Sequence, residues 1–170
     1  MGLLDKFKKN KTQEPPPKPK IVTKRIYAIS KKKKLIGHFE QEQNWRGFKR
    51  INIPNRHYQE ARDNLDYFRT TKDATEGKSE GSGDRIILDG CPIDIYLSTS
   101  LEEKRPVICV YVEDRFIGAN IVASDRAQAV LDGLQNGTIT AVHVIINYGY
   151  DYTGEMAYDT YLTTNVNQQK

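Results

Sequence analysis

With 170 residues, 38% apolar content, ten tyrosines and two cysteines, the chain is long enough for one folded domain plus a tail and too apolar for disorder throughout. No run approaches the roughly 20 apolar residues of a membrane-spanning helix, and Leu3, Leu4 and Phe7 are broken up by Asp5, Lys6 and Lys8, so no secretion-signal centre forms; a soluble, cytoplasmic protein is the expectation. The formal charge of +4 is asymmetric: residues 1–34 carry 12 Lys/Arg against two acids, residues 35–170 carry 14 against 20, and any attraction to polyanions starts at the N-terminal end.

Residues 1–20, with Pro15, Pro16, Pro17 and Pro19 among lysines, read as an extended, disordered basic tail. Its amphipathic opening could alternatively touch an anionic membrane surface or a partner. Residues 21–30 read as a first strand. Lys31, Lys32, Lys33 and Lys34 follow, either as a solvated hairpin tip or as phosphate contacts. Residues 35–39 and 48–53 read as short strands around a polar loop holding Trp45. Pro54 ends the second, and Asn55 is a fair N-cap for a helix over residues 56–70. On it Tyr58, Ala61, Leu65 and Phe68 share one face, while Glu60, Arg62, Asp63, Asp66 and Arg69 form a solvated one.

Residues 72–84 are rich in Gly, Ser and acids and read as a flexible loop within a single domain spanning 21–164. Asp89-Gly90, between apolar runs at 85–88 and 91–97, is the strongest hairpin signal. The stretch 105–148 then reads strand, turn, strand, helix, strand. Residues 106–112 are apolar on both alternating faces, as in a strand covered on both sides. Glu113-Asp114 makes a two-residue turn into residues 115–122, where Gly118 and Asn120 mark a bulge or a close backbone approach. Ser124 and Asp125 are both N-cap candidates, with Asp125 and Gln128 spaced as a capping box. Ala127, Val130, Leu131 and Leu134 form the apolar stripe of a helix ended by Asn136-Gly137. Residues 139–146 and 156–163 are further strands, joined by a turn rich in Tyr and Gly, and residues 165–170 fray.

None of the motifs HExxH, GxSxG, GxxxxGK[ST] or GxGxxG is present, Cys91 and Cys109 form no CxxC pair, and no acid pair has a spacing that calls for shared acid/base work. The expectation is a protein that is not an enzyme, with no cofactor, no metal site and two buried thiols. His143 reads as a strand side chain among apolar neighbours. The features suited to binding are basic or aromatic: the four lysines 31–34, Arg115-Phe116 after the turn, and Tyr148, Tyr150 and Tyr152. Rings stack on bases and Lys/Arg contact phosphates; tyrosines at alternate positions are also ordinary strand-edge residues.

Residues 107–146 resemble the HIRAN domain in the succession VICVYV, EDR, FIGANIV, ASDRAQAVLDGL, QNG and TITAVHVII. The family's Asn-Pro-x-Asp-x-Asn-Ala-Ile signature before the first of these strands is absent; SLEEKRPVIC stands there. The resemblance implies a small barrel-like β-module with one or two helices that handles DNA, and Arg115, Phe116, Ile117 and Gly118 are its positional matches. The expected fold is α+β, a small bent or barrel-like antiparallel sheet with two helices behind a disordered basic N-terminal tail. The expected function is non-enzymatic nucleic-acid binding, of single strands or DNA ends, with single-stranded DNA or another polyanion as partner. The alternative is a protein-interaction or scaffold module of bacterial or phage and mobile-element type, with the tail docking on a protein partner.

Overall fold

The computed structural model describes residues 28–42, 47–72, 84–86 and 88–165. The tail, the first expected strand up to residue 27, Trp45, most of the loop after residue 72 and the residues after Asn165 lie outside these. In chain order the elements are β1 (Lys34–Glu40), β2 (Lys49–Asn52), α1 (Gln59–Thr71), β3 (Asp84–Ile86), β4 (Pro92–Thr99), β5 (Pro106–Val112), β6 (Arg115–Ile121), α2 (Asp125–Asn136), β7 (Val142–Tyr150) and β8 (Met156–Thr164). The class is α+β, and the strands pair antiparallel in two four-stranded sheets, β1-β4-β5-β6 and β2-β8-β7-β3.

The stretch from β5 to β7 forms as its sequence demands. Val107 and Cys109 face a smaller apolar cluster, whereas Ile108, Val110 and Val112 face the main core, so β5 is covered on both sides. Glu113 (φ 49) and Asp114 (φ 62) both take the left-handed region that a tight two-residue hairpin turn requires. Glu113 is held there by Lys72 Nζ and Cys91 Sγ, each 3.1 Å from its Oε1. Ser124 caps α2, its Oγ accepting from the Ala127 amide at 3.2 Å, and Gly137 (φ 77) ends it. A helix of 12 residues is marginal alone. Burying Ala127, Val130, Leu131 and Leu134 in the core shared by both sheets supplies the stability, at about 1.5–3 kcal/mol for each large side chain.

Several local expectations are corrected. The Asp89-Gly90 turn forms, with Gly90 at φ 72 and the Cys91 amide bonded to Leu88 O at 3.0 Å. It joins no hairpin, however: β3 pairs with β7 and β4 with β1 and β5, so the turn carries the chain from one sheet to the other. β1 and β2 likewise belong to different sheets. The lysine run is no hairpin tip either: Ile29 bridges Ser100 and Lys34 pairs with Leu97, so both flanks run along the same neighbouring chain, and the run leads from that isolated bridge into β1.

Asn55 does not cap α1. Its Nδ2 donates to Tyr158 O at 2.9 Å and Thr160 Oγ1 at 3.3 Å, tying the 53–55 segment to β8, and the helix starts from Tyr58 with no side-chain cap. On the expected solvated face of α1, Asp66 hydrogen-bonds the Tyr158 hydroxyl, and Arg69 Nε donates to the same oxygen at 2.9 Å. The capping box at Asp125 is absent too, because Gln128 turns to Asp132 Oδ1 at 2.8 Å. β7 starts at Val142, since the Ile139 amide bonds back to Gly133 O at 3.0 Å and closes the end of α2.

Gln41 supplies a tie that its sequence does not announce. It is fully buried, its Nε2 donates to Leu88 O at 3.0 Å, and its Oε1 accepts from the Val144 amide at 2.9 Å. The β3 pairing ends at Ile86↔Ile146, and Gln41 serves the strand amide beyond it.

Candidate functional site

Antiparallel register decides which side chains meet on the outer face of the β1-β4-β5-β6 sheet. One row runs His38, Asp94, Tyr111, Phe116 and the next Leu35, Tyr96, Cys109, Ala119. Helix α1 covers the β6 end of this face with Ala61 and Tyr58. The rings then touch in succession. Tyr58 meets Phe116 edge-on at 5.3 Å, Phe116 meets Tyr111 at 5.4 Å, and Tyr111 meets Tyr96 edge-on at 5.1 Å.

Beside these rings lies a groove of about 420 Å³ whose walls include Ile29, Lys31, Lys33, Tyr58, Glu60, Ser98, Cys109, Tyr111 and Phe116. Ser98 fixes the basic wall, its Oγ lying 2.8 Å from Ser30 O and 2.9 Å from Lys32 O. Lys33 Nζ lies 4.5 Å from the Tyr96 ring centre and 4.2 Å from that of Tyr111, and donates to the Tyr111 hydroxyl at 3.0 Å. That hydrogen bond holds its ammonium above the usual lysine range. Lys31, Lys32 and Lys34 are exposed and make no ion pair among the described residues.

The predicted binding residues divide into three groups. Lys31, Lys33 and Phe116 line the groove, while Lys32 and Lys34, with Lys33, line an adjoining hollow of about 370 Å³. Arg115 is elsewhere: its guanidinium carbon sits 3.6 Å from the Tyr67 ring centre and Nη1 reaches Asn64 Oδ1 at 3.4 Å, which joins β6 to α1. Tyr148, Tyr150 and Tyr152 belong to the other sheet and the turn after it. Tyr148 packs on the core beside Tyr158, while Tyr150 and Tyr152 are 77% and 99% exposed. Tyr58, Tyr96, Tyr111, Ser98 and Glu60 were not foreseen. Tyr96 and Tyr111 stand at alternating positions of doubly apolar strands, and only the β4–β5 register makes them neighbours.

Both cysteines are free thiols and buried. Burial pushes Cys109 up to about 12, and burial with the Glu113 hydrogen bond pushes Cys91 up to about 11. No group of three His, Cys, Asp or Glu that could hold a metal ion occurs among the described residues, nor does a helix long and apolar enough to cross a membrane.

At the edge of the aromatic rows, His38 Nδ1 meets Asp94 Oδ1 at 2.5 Å. The Asp94 hydrogen bond, then its charge, with Glu40 and Asp114 adding to it, raises the His38 pKa. A raised folded-state value means that this stabilisation is full below the unfolded value of about 6.5 and is lost as pH rises through the folded value. We expect an NMR titration to place His38 above about 6.5 and Asp94→Asn to bring it back towards that value; a wild-type His38 at or below it would refute the pairing.

Comparison with protein-family models, with curated proteins and with solved structures gave no match.

Proposed function

We propose that the protein is a non-enzymatic nucleic-acid-binding module that takes single-stranded nucleic acid, or a strand end, along the outer face of the β1-β4-β5-β6 sheet. The observation that carries this reading is the placing of Lys33 over Tyr96 and Tyr111 at a groove of nucleotide scale. Charge and aromatic surface converge there, with three further unpaired lysines alongside. Rings of this kind stack on bases at about 1–3 kcal/mol each and tolerate any sequence, while lysines supply phosphate contacts. A duplex hides its base faces, so the preference is for single strands. The HIRAN resemblance of residues 107–146, which implies DNA handling, agrees with this reading.

The test is fluorescence anisotropy with labelled single-stranded and duplex DNA between about 50 and 200 mM salt. The full chain is compared with a variant in which Lys6, Lys8, Lys9, Lys11, Lys18 and Lys20 are glutamine. Single-strand binding should survive in the variant. Tyr96→Ala and Tyr111→Ala should each weaken it by about 1–3 kcal/mol, some 5- to 150-fold. Binding that disappears with the tail lysines and is equal for DNA and heparin would instead favour a docking tail on a protein-interaction module.

A further inference from the structure

The groove has donors in plenty and few open acceptors. Lys31 and Lys33 can only donate, the Ser98 hydroxyl lies against two carbonyl oxygens, and the Tyr111 hydroxyl is engaged by Lys33. Glu60 is the one carboxylate on its wall among the described residues, and its side chain makes no hydrogen bond or ion pair with them. It stands in the first turn of α1, where the helix dipole favours a negative charge. An ionised carboxylate is purely an acceptor.

A base entering beside Tyr58 and Phe116 would present its edge to that acceptor. Cytosine, adenine and guanine carry an exocyclic amine that can donate to it. Thymine and uracil offer only a ring N–H flanked by two carbonyl oxygens, which face a carboxylate with like charge. Building on the nucleic-acid reading above, we infer that Glu60 makes the groove a one-base subsite selective for amino-bearing bases over thymine and uracil. At about 420 Å³ the groove lies in the range of small-ligand clefts, about 300–1,000 Å³, and a duplex cannot enter it.

Cytosine and thymine are both single-ring pyrimidines, so comparing them isolates the hydrogen-bonding edge from differences in ring size. Anisotropy would be measured for the full chain with oligo-deoxycytidine and oligo-thymidine of about a dozen residues, a length within the usual single-strand site range. The wild type should bind the cytidine strand on the order of tenfold more tightly. Glu60→Gln adds an amide donor and removes a charge; it should tighten thymidine binding and bring the ratio below about twofold. Glu60 is exposed, so this variant should keep the wild-type fold, which circular dichroism checks. Equal wild-type affinity for the two strands, or a ratio unchanged by the substitution, would overturn the base preference and leave the nucleic-acid reading standing. Binding of neither strand by the wild type would overturn both.

Discussion

Replacing Lys31, Lys32, Lys33 and Lys34 together by glutamine is expected to reduce affinity for single-stranded DNA about 10²- to 10³-fold near 100 mM salt. On single strands each neutralised phosphate contributes about −0.7 to the slope of log K against log salt, so four lysines account for a slope change of about 3. All four are exposed, and apart from the Lys33 contact with Tyr96 and Tyr111, which glutamine gives up, the run is held by backbone and Ser98 contacts that the substitution leaves in place. The fold should therefore survive. The measurement is a salt series on wild type and variant, with circular dichroism to check the fold. Replacement of the four by arginine, which keeps the charges, should keep the slope. An unchanged slope in the glutamine variant would remove the lysines from the interface and with them the proposed site.

The second large effect is on stability. Gly118→Ala should cost about 4 kcal/mol, from left-handed backbone strain and overpacking of about 1–3 kcal/mol each. A Cβ at this position would lie 2.6 Å from Pro54 O and 2.9 Å from Ile53 Cγ2, with φ at +151. Neither neighbour can easily yield. Pro54 O accepts the Ala119 amide at 3.1 Å, and Ile53 is fully buried beside the core. This contact seats the chain before α1 on β6, and α1 in turn carries Tyr58 and Glu60 to the groove. Against a typical total of 5–15 kcal/mol the loss is large, and with a urea slope of about 1–3 kcal/mol per molar the midpoint should fall by about 2 M. Gly137→Ala separates the two causes. Gly137 also has a positive φ, 77, but nothing lies within 4 Å of the added carbon, so it should lose only about 1–2 kcal/mol. Equal losses at the two glycines would show that the close approach to Pro54 carries no weight.

Some of this architecture is legible in the residues alone, and the reason is locality. Strand β5, its turn, β6, α2 and the later strands each depend on neighbours a few positions away: alternation of apolar groups, a tight turn at Glu113-Asp114, a hydroxyl at Ser124, a stripe at Ala127, Val130, Leu131 and Leu134, and Gly137 at the helix end. Gly118 reads as a bulge or close approach because a glycine in an apolar strand seldom has another purpose, and both are found there: the register skips Ile117 beside it, and Pro54 O lies against it. The four lysines announce themselves as charge, whatever the fold does with them.

Tertiary structure decided which strands pair and so which side chains share a face. Asp89-Gly90 has hairpin chemistry, but a turn reverses the chain without choosing its partners, and β3 and β4 part company across it. Asn55 has N-cap chemistry, and β8 competes successfully for its amide. The tyrosines conspicuous in sequence, Tyr148, Tyr150 and Tyr152, fall on the β2-β8-β7-β3 sheet and its turn, whereas Tyr58, Tyr96 and Tyr111, scattered along more than fifty positions, gather around Lys33 and Phe116. Period-two alternation assigns a residue to one of two faces but says nothing of what stands opposite. That depends on register, which is settled only when the whole sheet buries its apolar side.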